Sequence, residues 1–165
     1  MEIMKKYNLQ IALHNANKER ALIYLDIFRE IRKRHGEEEA VSILRNSLEK
    51  RGRQFGSTLK QYAPRDFRAL CDAFAYAPDG GDMFQPIVLH CDESSLELKM
   101  KKCPLKEAWV EAGISDREIS LLLQCASAMD VGTMDEAGFN LDIQTSKPGT
   151  TGCCYLKITA KTIET

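Results

Sequence analysis

The sequence has no apolar run approaching the length of a membrane span, and Met1 to Asn8 lack an apolar core of signal-peptide length. Membrane crossing and secretion are therefore not expected, and a soluble, cytoplasmic protein is. Net charge is nearly missing too: 23 Lys and Arg against 24 Asp and Glu leave a formal charge of -1. No global field draws in nucleic acid or an anionic membrane, so neither is an expected partner. The chain carries no Gly-rich phosphate loop, no HExxH pair, no nucleophile-elbow pentapeptide and no CxxC. Enzymes most easily read from motifs are thereby removed. Internal repeats and low-complexity tracts are also lacking.

Cysteine is what the sequence has in plenty. There are six, at 71, 91, 103, 125, 153 and 154. A reducing compartment argues against disulfides, and 165 residues bury roughly two-thirds of their unfolded surface without a staple. Cys71, on a helix face, and Cys91, at a strand end, read as small buried hydrophobes.

Periodicity predicts helices near 17–35, 37–55, 64–76, 104–112 and 116–130, and strands near 86–91, 95–101, 138–145 and 153–159. Tyr24, Ile27, Phe28 and Ile31 fall on one helical face. Leu96 to Lys101 alternates strictly, as a half-buried strand should. Ser115 with Glu118 three residues later is a capping-box signature. Gly52 and Gly56 are expected to loosen the second helix, Gly132 to Gly138 to form a connecting loop, and residues from 160 on to fray. Pro78 to Asp82 and the turn from Pro148 are read as loops. The order of elements predicts one α+β domain: a helical half over 17–77, then hairpin, two helices and hairpin over 86–159. Its core is a four-stranded antiparallel sheet with about five helices packed on it.

The best-placed reactive atom is the sulfur of Cys103. Pro104 suits the first turn of a helix, which puts Cys103 at or next to the N-cap, among backbone N–H groups that favour a thiolate. The helix continues through Lys106 and Glu107 to Trp109, the single tryptophan. His14, His35 and His90 are isolated in sequence, and only His90 belongs to a hairpin whose partner strand runs into Cys103. Arg45, Lys50, Arg51 and Arg53 read as a solvated basic face or as a source of a carboxylate-binding arginine. Cys103, Cys125, Cys153 and Cys154 are metal candidates for zinc or another divalent ion, or thiols packed as small apolar groups. Strand phase puts Cys154 inward with Leu156 and Ile158, where it can meet Cys125, and puts Cys153 at the mouth of the turn.

From Cys103 on, an ordered set of segments resembles a known family. It comprises Cys103-Pro104-Leu105-Lys106-Glu107-Ala108-Trp109, Leu123-Gln124-Cys125 with Asp130, Gly132-Thr133, Ala137-Gly138-Phe139, Lys147-Pro148-Gly149 and Gly152-Cys153-Cys154, with Arg51-Gly52 and the Phe74 region before it. The family is that of L-2-amino-thiazoline-4-carboxylic acid hydrolase. The resemblance implies hydrolysis at the amidine-like carbon of a small carboxylated heterocycle. A wider similarity to 4-vinyl-reductase-type domains implies a small-molecule-binding module whose cysteines hold zinc. Leu122 stands where that second pattern has an acidic ligand. Hydrolysis needs a nucleophile, a proton carrier and a cation for the carboxylate. Cys103 is expected as nucleophile and Asp130 or Glu107 as proton carrier. Lys106, Arg51, Trp109 and His90 are expected to hold the substrate. The alternative is a non-catalytic sensor or carrier of a small molecule. The oligomeric state is left open.

Overall fold

In the computed structural model, residues 2–77, 79–147 and 149–161 are described, with side chains from residue 8 on. Pro78, Pro148 and the last four residues, to which loop and fraying expectations were attached, lie outside them. The fold is α+β. Two long helices open it, α1 (Glu2–His35) and α2 (Glu37–Gly56), followed by a 3-10 segment, Ser57–Tyr62. The short α3 (Phe67–Cys71) runs into a π-helical turn, Asp72–Tyr76. Then come β1 (Pro86–Cys91), β2 (Ser95–Met100), α4 (Pro104–Glu111), α5 (Asp116–Ala137), β3 (Phe139–Gln144) and β4 (Tyr155–Ala160). The four strands form one antiparallel sheet in the order β1-β2-β4-β3.

Alternation decides which face of the sheet is covered. Leu96, Leu98, Leu156 and Ile158 are buried with Phe67, Leu70, Met134 and Phe139. The rings of Phe67 and Phe139 lie 5.6 Å apart in a tilted pair. The opposite face carries Glu97, which accepts from the Tyr155 hydroxyl at 2.7 Å and pairs with Lys157 at 2.9 Å. β1 does not share this half-burial. Ile87, Val88 and Leu89 are exposed, as is Cys91, because β1 is an edge strand beyond the cover of the helices and is bulged between Val88 and His90.

Several expectations are corrected here. α1 begins fifteen residues earlier than its apolar stripe implied, at Glu2 rather than near 17. The segment from Gly132 is no loop: α5 continues to Ala137 and ends at Gly138, whose φ of 95° gives the left-handed C-cap. Nor do Gly52 and Gly56 loosen α2. They are buried, and an added Cβ would stand 2.0 Å from the Met129 carbonyl oxygen and 2.2 Å from that of Thr133. Gly132 answers from α5, where a Cβ would meet the Glu49 carbonyl oxygen at 2.2 Å. Three glycines therefore let two backbones touch, and the Thr133 hydroxyl bonds the Gly52 carbonyl at 3.2 Å across the contact. β4 includes Ala160, and the Lys161 ammonium is held by the Asp135 carboxylate at 2.6 Å, so ordered chain extends past the expected fraying point.

α1 is fixed at both ends of its described part. Near its C-terminal end Arg29 donates to both oxygens of buried Glu118 at 2.9 and 2.8 Å, and Arg32 reaches the same carboxylate at 3.2 Å. Further back, the Trp109 indole N–H donates to the Ala21 carbonyl at 2.9 Å, and Lys18 pairs with Glu111 at 2.5 Å. α4 is thereby clamped along α1, and α5 is anchored by its first turn.

Candidate functional site

β2 delivers Cys103. Beyond the strand, Lys101 and Lys102 bond the carbonyls of Gln85 and Phe84, and the chain turns into α4 with Cys103 as an extended N-cap and Pro104 at the first helical position. The returning strand brings the second thiol. Met100 donates to the Cys154 carbonyl and accepts from the Cys153 N–H, both at 2.9 Å, so two residues oppose one in a bulge-like step. Gly152, at φ +80°, makes the turn beside the Met100 carbonyl, where a Cβ would sit 3.2 Å from the oxygen. The bulge breaks the strand alternation on which the expected phase rested. Cys153, not Cys154, is the buried member of the pair, and their sulfurs are 3.0 Å apart.

Cys103 is buried beside Cys153. The Cys153 thiol stabilises charge on the Cys103 sulfur, and the N–H groups of Lys106 and Leu105 at the start of α4 add to it without closing full hydrogen bonds. Burial opposes this, as does the nearby Asp130 carboxylate, but the net effect lowers the Cys103 pKa. Cys153 moves the other way, raised by the same contact with Cys103 and by Cys154. One thiol of the pair is thus the acid and the other the donor that supports it.

Asp130 lies on the inner side of α5. Burial pushes its carboxyl up to about 7, and the charge of Arg20 on α1 only partly offsets this. As a residue Asp130 is half-buried rather than sealed. A carboxyl raised by burial and a thiol lowered by its neighbours thus lie close enough to feel each other's charge.

The other expected site residues are placed elsewhere or already engaged. Glu107 pairs with His14 at 2.9 Å, so His14, isolated in sequence, has a partner on α4. The Lys106 ammonium donates to the carbonyls of Thr150 at 3.1 Å and Gly152 at 2.9 Å, which ties down the loop carrying Cys153. Trp109 is 0% exposed and acts as a core residue between α4 and α1. Arg51 is exposed on α2 and donates to Gln54 at 2.7 Å. His90 stands on the edge strand beside Asp92 at 2.9 Å. Cys125 does not meet Cys154. It is buried on the α2 side of α5 near Arg45, and burial raises its pKa. Cys71, buried beneath α3, is pushed up to about 11.

These placements do not fit a closed zinc site of the four cysteines, because Cys125 is buried near Arg45 and is not grouped with the other three thiols. Among the described residues no group of three or more His, Cys, Asp or Glu is placed to hold a metal ion. Two clefts open elsewhere. One of about 560 Å³ lies along α2 and is lined by Asn46, Glu49, Arg53 and Glu136. The other, of about 360 Å³, runs between α1 and the 79–83 loop, with His14 on its wall. Neither includes Cys103 or Asp130.

The sequence model of the family described as L-2-amino-thiazoline-4-carboxylic acid hydrolase matches residues 15–155. The chain belongs to this family. The matched span takes in Arg20, Cys103, Asp130, Cys153 and Cys154, and so the whole site. No curated protein matches the chain. Among solved structures, a trafficking protein particle complex subunit 3 from Naegleria fowleri, covalently bound to palmitic acid, is similar over 89% of this chain and 96% of that one. Its identity is 13% and its TM-score 0.49, too slight a likeness to carry a ligand or partner across. Among the described residues of this family member, no helix is long and apolar enough to cross a membrane.

The residue that sequence reasoning missed is Arg20. Its Nε is buried with no hydrogen-bond partner, and its guanidinium stands 5.9 Å from the centre of the Tyr24 ring. Nothing in its local sequence distinguishes it from the solvated Arg29 to Arg34 run; only the approach of α5 does.

Proposed function

We propose that this family member hydrolyses a small carboxylated heterocycle of the 2-aminothiazoline-4-carboxylate kind through a covalent adduct on Cys103. Family membership supports the reaction class. The observation that carries the residue assignment is the charge-stabilised thiol of Cys103 beside a carboxyl that titrates near neutrality, Asp130.

The protonated ring amidine is the electrophile. The Cys103 thiolate adds to its central carbon and forms a C–S bond, and the C=N electron pair moves onto nitrogen. The Asp130 carboxyl then protonates the ring heteroatom that leaves this carbon, the ring bond breaks, and the C=N bond re-forms. The resulting Asp130 carboxylate takes a proton from water as the water oxygen attacks the same carbon. Collapse to a carbonyl expels the Cys103 thiolate and releases one proton to solvent. One water is consumed, one ring bond is opened and no electron is exchanged with an outside partner. Cys153 supports the thiolate at both ends of the cycle, and Lys106 keeps the Cys153 loop in place.

The test is incubation of the purified protein with 2-aminothiazoline-4-carboxylate, with and without added divalent metal, while following ring opening. Turnover that disappears in Cys103→Ser, with an adduct on Cys103 trapped at early times, is the expected result. A non-catalytic small-molecule carrier is the competing reading, favoured by the near closure of Cys103, which is 7% exposed. Absence of product under every condition selects it.

A further inference from the structure

A hydrolase of this kind needs a cation for the substrate carboxylate, and the two residues expected to supply it are engaged elsewhere. Lys106 is held by two backbone carbonyls and Arg51 lies on the outer surface of α2. The architecture supplies another cation. α2 and α5 run side by side in one direction, as the pairing of Arg45 with the Gln124 carbonyl and of Gly56 with Thr133 shows. α1 runs opposite to α2, so it also opposes α5. Arg29 and Arg32 meet Glu118 at the start of α5, and moving three turns back along α1 while moving three turns forward along α5 brings Arg20 level with Asp130.

Arg20 and Asp130 sense each other's charge, yet no ion pair or hydrogen bond joins them among the described residues. This is an unusual arrangement for a guanidinium. Buried N–H donors are almost always paired, and one left without a partner is costly because its lost hydration is not replaced. Arg20 Nε is in that condition, while its neighbours Arg29 and Arg32 are fully engaged by Glu118. Both Arg20 and Asp130 are half-buried as residues rather than sealed. A planar fork of donors left without a partner matches a carboxylate and would donate two parallel hydrogen bonds to it.

We infer that Arg20 is the anion-binding residue of this site and that its ligand is a compact molecule bearing a carboxylate. The inference rests on the hydrolase reading for the choice of carboxylate, but not for the existence of the subsite. Asp130 feels the charge of Arg20 and its own charge reaches Cys103, so a small ligand whose anion rests on Arg20 would have its remainder near both the proton carrier and the thiol. A carboxylate at Arg20 also screens Asp130 from the positive charge that lowers its pKa, which keeps its proton on when substrate is bound.

The experiment measures binding without turnover. Full-length Cys103→Ser protein is titrated calorimetrically with 2-aminothiazoline-4-carboxylate and with its neutral carboxamide. The carboxylate is expected to bind about ten- to a hundredfold more tightly, as loss of a charged hydrogen-bonding partner implies. Adding Arg20→Gln should erase that preference, and Arg20→Lys should restore part of it, with far-UV circular dichroism unchanged. Equal binding of carboxylate and carboxamide to the Cys103→Ser protein overturns the inference even if the Arg20 variants fail to fold, and so does a preference that survives Arg20→Gln. The two readings fail separately. Arg20-dependent carboxylate binding without ring opening by the parent protein removes the hydrolase and keeps the subsite. Ring opening with an unchanged KM in Arg20→Gln keeps the hydrolase and removes the subsite.

Discussion

The two sides of α5 obey opposite rules. Toward α2 the helix is as closely packed as backbones allow: Gly132 against the Glu49 carbonyl, Gly52 and Gly56 against Met129 and Thr133, and Cys125 sealed at 0% exposure. Two residues from Gly132, and about 200° around the helix, Asp130 has no hydrogen bond or ion pair among the described residues, and burial pushes its carboxyl up to about 7. One side leaves no polar group unanswered and no room for a methyl. Among the described residues, the other leaves a carboxyl and a guanidinium nitrogen short of partners. Such economy on one side is what permits the other, because groups held at a cost persist only where the surrounding structure over-determines them.

The sharpest break in this contrast is a methyl on the packed side. Gly52→Ala and Gly132→Ala each drive a Cβ to about 2 Å from a backbone carbonyl, which no rotamer change relieves. A loss of about 3 kcal/mol or more is expected in urea denaturation, far beyond the gain of up to ~1 kcal/mol that alanine brings to a helix interior. Unchanged stability would show that the helices can part freely.

On the open side the largest effect falls on chemistry. Cys103→Ser should lower ring opening by at least about a hundredfold while the thermal midpoint shifts by only a few degrees. A large loss of stability with retained turnover would reverse the comparison.

Asp130→Asn sharpens it through pH. The folded pKa, about 7, lies above the ordinary carboxyl value, so the folded state holds the extra proton between roughly pH 4 and 7 and stability falls as pH rises through that window. Removing the ionisable group should therefore leave the protein more stable than the parent at pH 8, by about 1–2 kcal/mol, and about equal to it at pH 4. Activity should drop, and the alkaline fall in kcat/KM near pH 7 should vanish. Persistence of that fall in the variant would assign it to another group.

A smaller change is expected where the two sides meet, at the first turn of α5. Arg29 and Arg32 hold the Glu118 carboxyl below the usual carboxylate range. A depressed folded pKa contributes stability that is present above the unfolded value and is lost as pH falls through the folded one. Glu118→Gln should cost about 1–2 kcal/mol at pH 7, less than a sealed pair because Arg29 is 44% exposed, and the difference should shrink below pH 4. The smallest effects belong to the outer surface. Arg51→Ala and His90→Ala should leave both stability and ring opening within error of the parent, and a tenfold change in KM from either would extend the site far beyond Cys103 and Asp130.

Much of the fold was legible because local chemistry and tertiary packing agree. β2 alternates from Leu96 to Met100, Ser115 caps α5 through the Glu118 N–H at 3.2 Å, and Pro104 starts α4 behind Cys103. The exceptions share a cause. Gly132 reads as a loop and Gly52 as a weak point because glycine is a poor helix former when only neighbours in sequence are counted. Both sit in helices because a backbone 80 residues away fits only where a side chain is missing.

The site divides along the same line. By itself the sequence determined the family and the place of Cys103 at the start of α4, since a cysteine before a proline there carries its own electrostatics. Tertiary structure alone decided its companions. A bulge opposite Met100 made Cys153 rather than Cys154 the inward thiol. The burial of one face of α5 raised Asp130, and the antiparallel run of α1 brought Arg20 level with it. Helix starts and strand alternation are set over a few residues, whereas desolvation and the absence of a partner are properties of everything that surrounds a group. No spacing in the chain encodes them.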